Sequence, residues 1–233
     1  MTEFGRPEPG LHKGALIQLV KDIVGVVLPN VVLFQYNPTK ISHTVTPWNP
    51  AEVDQTQRGA QMPMVQPFNP KESFTLSVEL DATDDLEGRN PIATKYGIGD
   101  QLAALKKLTY PSEGLFGDLV RNAKALAGQS SCKVERPTVP IVLFVWGVNR
   151  IVPVRVTSYS VEETLYSPDL QPLHATVALG LEVMTPDNFK CHQNITQKIA
   201  TAAYSWTRLN EDKLAILNSI NAAKRASGIP PLF

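Results

Sequence analysis

From Phe74 to Asp81 the chain alternates without a break, with Phe74, Leu76, Val78 and Leu80 on one side and Thr75, Ser77, Glu79 and Asp81 on the other. A period of two puts every second side chain on the same face of an extended backbone, so this is a strand with one face buried. Apolar runs at Ala15–Val20, Val31–Tyr36, Ile41–Thr46, Ile141–Trp146, Ile151–Tyr159 and Ala175–Met184 predict six more strands. Asn37-Pro38-Thr39-Lys40 is a turn sequence and predicts that the strands on either side of it form a hairpin. The last three strands, two of them joined by Gly147-Val148-Asn149, are expected to lie side by side and antiparallel.

The period changes to three and four at Ile98, Leu102, Leu105 and Leu108, which predicts a helix with Asp100 as N-cap and Pro111 beyond its end. Such a helix covers one open end or face of a β structure. A weaker pattern predicts a second helix over Leu115–Leu126, followed by a surface loop at Gly128-Gln129-Ser130-Ser131. Past Pro186 the spacing of Ile195, Ile199, Ala203, Leu214, Leu217 and Ile220 predicts a helical tail. It ends in an extended apolar stretch, Gly228 to Phe233, whose Leu232 and Phe233 suit docking on a neighbour.

The expected organisation is therefore mainly β: a β domain over residues 1–186, with a long Pro-rich loop at 47–70, and a helical extension over 187–233. Within that loop, one short edge strand is expected around Ala60–Val65. Nineteen prolines, many of them between apolar runs, fit strands joined by long connections.

Composition narrows the function. Twenty-two Lys and Arg balance 22 Asp and Glu, so nothing favours a phosphate backbone or an anionic bilayer as partner. The most apolar stretch, Gly14–Phe34, is interrupted by Lys21, Asp22, Pro29 and Asn30, which argues for strands and against insertion in a membrane. Met1 to Gly5 lacks the basic and apolar regions of a secretion signal, so synthesis and assembly in the cytoplasm are expected. Cys132 and Cys191 are far apart and read as reduced thiols.

No G-x-S-x-G, P-loop, dinucleotide glycine fingerprint or H-E-x-x-H is present, and the four histidines are scattered. Cys191-His192 is a poor metal pair, since adjacent side chains diverge on an extended backbone. Neither a cofactor, a metal nor catalysis is expected. Asp81, Asp84, Asp85 and Glu87 form an acidic cluster that lacks the ligand alternation of a calcium loop. It reads as a solvated strand exit or an intersubunit patch. Trp146 lies inside a strand and reads as core, whereas Trp48 and Trp206 read as interface anchors.

Phe34-Gln35-Tyr36-Asn37-Pro38-Thr39 resembles the F-x-(Y/F)-N-P start of contractile injection system tube-family proteins. Glu72–Asp84, Gln101–Leu108, Pro140–Gly147 and Pro153–Ser158 are similar to that family's acid-ended strand, central helix and later strands, in the same order over Val31–Met184. The resemblance implies antiparallel sheets closed into a barrel or sandwich with one flanking helix, six copies of which form a ring by sheet extension. It also implies the spike, the inner tube and other baseplate subunits as partners, in a phage-tail-like particle released or membrane-anchored. Relatives that adapt tube to spike often carry a LysM module, and residues 187–233 lack its pattern. An adaptor or tube initiator is the reading favoured by the length and the Pro-rich insertion. The alternatives are a bulk tube or cap subunit of the same particle, a carbohydrate- or peptidoglycan-binding module, and a hydrolase using the acidic cluster.

Overall fold

The computed structural model describes residues 12–19, 30–47, 69–110, 119, 123, 126–127, 140–189 and 194–226. Its strands are β1 (Ala15–Leu19), β2 (Asn30–Leu33), β3 (Ile41–Thr46), β4 (Lys71–Asp81), β5 (Ile141–Val145), β6 (Ile151–Tyr166) and β7 (Pro172–Val183). They form one seven-stranded antiparallel sheet in the order β2-β1-β5-β6-β7-β4-β3. As expected, β5, β6 and β7 are adjacent. β6 runs past the expected Tyr159 because Ser160, Val161, Glu162 and Glu163 remain paired with β7 although apolar alternation has faded.

The core is set by register. Leu76, Val78 and Leu80 of β4 stand opposite Leu179, Val177 and Ala175 of β7, and all six are buried. Each such aliphatic side chain removed from water is worth roughly 1.5–3 kcal/mol. Phe74 of β4 and Phe144 of β5 lie three places apart in the strand order, yet their ring centroids are 5.4 Å apart. The sheet is therefore strongly curled, with its apolar face inward.

Two expectations about connectivity are corrected. β2 and β3 do not form a hairpin: β2 pairs with β1, β3 pairs with β4, and the two lie at opposite edges of the sheet. The turn between them instead crosses from one edge to the other, because Phe34 is fully buried and the polar residues after it bond elsewhere. The barrel expected to close does not close by backbone pairing among the described residues. β2 has only four residues, of which Asn30 and Val32 are buried, and β3 is almost wholly exposed, so β3 offers no buried face for β2 to pair against.

Three helices separate β4 from β5: α1 (Thr83–Glu87), α2 (Pro91–Tyr96) and α3 (Gly99–Lys107). α3 is the expected flanking helix. Ile98, Leu105 and Leu108 enter the core, and Asn30 Nδ2 donates to the Ala104 carbonyl at 2.9 Å. Asp100 is not its N-cap but lies in its first turn, where a carboxylate still favours the helix dipole. Of the second expected helix, Leu119, Ala123 and Leu126 are described and helical, with Leu119 and Leu126 exposed. Gly128–Ser131 and the Ala60–Val65 strand lie outside the described residues.

A 3-10 turn at Pro186–Phe189 leads to α4 (Ile195–Ala226), one helix of 32 residues. With it, helix and strand contribute about equally to the described residues, in place of the mainly β composition expected. Ala200, Tyr204 and Thr207, spaced four and three apart, are buried against the sheet. Thr207 Oγ1 accepts from Ile151 N at 2.9 Å and donates to Ile151 O at 2.8 Å.

Candidate assembly surfaces

The segment 34–37 ties the curled sheet together. Phe34 N donates to Gly14 O at 2.9 Å, and its ring sits 6.5 Å from that of Trp146. The Gln35 amide imitates a strand: Nε2 donates to Asp81 O at 2.7 Å and Oε1 accepts from Asp81 N at 2.9 Å. Asn37 Oδ1 accepts from Gly14 N at 2.8 Å, and its Nδ2 donates to His12 O at 3.0 Å. Side chains thus bridge the end of β4 to the turn that leaves β2, each bond contributing about 1 kcal/mol. This role for Gln35 was not readable from pattern, because nothing local reveals a partner 46 residues away.

The acidic cluster is used locally. Asp81 Oδ1 accepts from Thr83 N at 2.8 Å and from Thr83 Oγ1 at 2.5 Å, and these bonds hold its carboxyl below the usual range. Asp84 Oδ2 accepts from the Tyr36 hydroxyl at 3.4 Å. The Tyr36 hydroxyl is held above its ordinary range by burial and then by the charges of Asp84 and Asp81. Asp84 and Asp85 occupy the first turn of α1. No group of three or more possible metal ligands occurs among the described residues.

Trp206 is half exposed, donates from Nε1 to Val148 O at 3.1 Å, and lies 5.7 Å below the Lys213 ammonium. It is not near the acidic cluster's elements in the strand order, since α4 packs on β5 and β6. Trp48, Leu232 and Phe233 lie outside the described residues, as do Cys132, Cys191 and His192. Trp146 packs against the core through Phe34 and Phe144, as expected of it.

Three backbone edges lack a partner strand among the described residues. β2 and β3 are the ends of the sheet, and β5 pairs with β6 only as far as Val154, which leaves one side of Arg155–Tyr166 open. That edge carries Thr157, Ser158, Ser160 and Thr164, and it ends in Leu165 and Tyr166, both about half exposed. Unpaired donors and acceptors in a row of this length are a template for another strand.

The crevice between α4 and the sheet, bounded by Glu72, Arg150, Tyr204 and Arg208, has a volume of about 10 Å³. That is room for one water and not for a substrate. Among the described residues no helix is long and apolar enough to cross a membrane.

A family model described as contractile injection system tube protein matches residues 26–191, more than half of the chain. No curated protein matches.

Proposed function

The chain belongs to the contractile injection system tube protein family, and on that premise we propose that it is a ring-forming adaptor that joins the inner tube to the spike. It is a structural subunit and has no catalytic role. The observation that carries the reading is the presence of open edges in a chain of this family, among them the outer side of β6 and the edge strand β3, which lie at different places in the strand order. Strand addition between two such edges is head-to-tail, and a head-to-tail contact closes into a ring when its rotation allows. Six copies are the number the family resemblance implies.

Domain limits follow from the same reading. Residues 1–186 form the ring body, and residues 187–233, Leu232 and Phe233 among them, face a neighbouring subunit, as does Trp48. Balanced charge suits stacking of such rings. Co-expression with the tube and spike subunits, purification by a tag on this chain and imaging of the product test the adaptor role. One ring of this protein between tube and spike is the expected result. Many stacked rings of it along the tube would make it the bulk tube subunit, and failure to retain either partner would sink the assignment.

A further inference from the structure

The tail helix carries a second, exposed apolar face, which its own body touches among the described contacts through the Trp206 Nε1 bond to Val148 O. Ile195, Ala202, Leu209, Ile216 and Ala223 recur at intervals of seven. Ile199, Trp206, Lys213 and Ile220 form a second row, offset from the first by four and three. The two rows make a heptad seam along the helix, apolar except at Lys213, the pattern by which one helix packs into another. This seam lies opposite the buried face: Ala200, Tyr204 and Thr207 point to the sheet, while Ile195, Ile199, Leu209, Ile216 and Ile220 are 78, 43, 48, 61 and 46 % exposed.

From Asp212 to Arg225 no residue of α4 is buried. A helical stretch of that length is marginal in water unless something packs on it. Among the seam positions only Lys213 is charged, and it marks the kind of occupant. In a parallel, in-register pair, the residue preceding the second copy's own Lys213 borders the site that Lys213 enters, and that residue is Asp212. A second copy of the same helix therefore supplies both the matching apolar rows and the carboxylate. An antiparallel pairing offsets the two charges.

We propose that α4 pairs in parallel and in register with α4 of a second copy through this seam. The parallel sense rests on the ring reading above, since copies around one rotation axis send their tails to the same side.

Disulfide trapping in the full chain tests this, with Cys132→Ser and Cys191→Ser as background. Ile216→Cys lies on the seam, and Asn218→Cys lies on another face of the same helix. Mild oxidation is expected to convert most of the Ile216→Cys protein to covalent dimer and at least tenfold less of the Asn218→Cys protein. Adding Ile220→Asp to the Ile216→Cys chain should abolish the dimer while leaving the thermal transition of the body unchanged. A ring without trapping at position 216 overturns the tail pairing and leaves the ring reading standing. Trapped dimers without a ring support the pairing and remove the ring. Equal trapping at both positions, or trapping only to a different subunit, also overturns the pairing.

Discussion

Phe74→Ala lowers the free energy of unfolding by about 3–5 kcal/mol, measured by denaturant titration at fixed protein concentration. Phe74 is 2 % exposed, stacks on His43 with centroids 4.3 Å apart and meets Phe144 at 5.4 Å. Its ring fills the space between strands that the curl of the sheet brings face to face, so truncation removes contacts on both walls. Backbone pairing fixes these walls, and collapse into the cavity would have to break it. A loss below about 1 kcal/mol would mean that β4 and β5 do not face one another, and the curled sheet would be wrong.

Gly97→Ala is expected to cost about 2–5 kcal/mol, from backbone strain and overpacking together. Gly97 ends α2 with φ 58° and ψ −128°, a combination outside the left-handed well that side chains tolerate. A Cβ there would also run into the Pro172 carbonyl oxygen, which accepts the Ile98 amide at 2.9 Å. The Gly97 turn thus docks the start of α3 on the start of β7. Gly147→Ala is the control: φ is 73°, but nothing lies within 4 Å of the added carbon. It should cost only about 1–2 kcal/mol, the conformational share alone. Equal losses in the two variants would show that the close approach to Pro172 contributes nothing.

The elements that could be read from the chain were those whose pattern is repeated often enough to outweigh chance. β4 alternates over its whole length, α3 buries its residues at the expected spacing, and Ile41–Thr46 forms a strand with the bounds expected. The partners of the strands were harder. Asn37-Pro38 signals a turn but not where the chain goes after it, and the fully buried Phe34 with the Gln35 clamp on Asp81 sends it across to the other edge. α1 and α2 were missed because each is shorter than two turns and carries no periodic stripe. The capping signal was nevertheless present: Asn90 Oδ1 accepts from Ile92 N at 3.0 Å, and Pro91 occupies the first turn.

The assembly surfaces were legible only in part. The acidic residues near Asp81 were visible as a cluster, but their use by Thr83 and Tyr36 depends on how β4 ends and where residue 36 arrives. Trp206 was read as an anchor from its size and type. That it lies on an exposed seam, with Lys213 above its ring, becomes visible only once the buried face of α4 is known. The open side of β6 was invisible beforehand, because strand order does not follow from the pattern within each strand.

The central claim is that this chain builds a closed ring. Light scattering of the purified full chain, coupled to size-exclusion chromatography, tests it most directly. The account predicts a particle of six times the 25.6 kDa chain mass, stable on dilution. A monomer at every concentration tried would contradict it, and open filaments would show that the head-to-tail contact does not close.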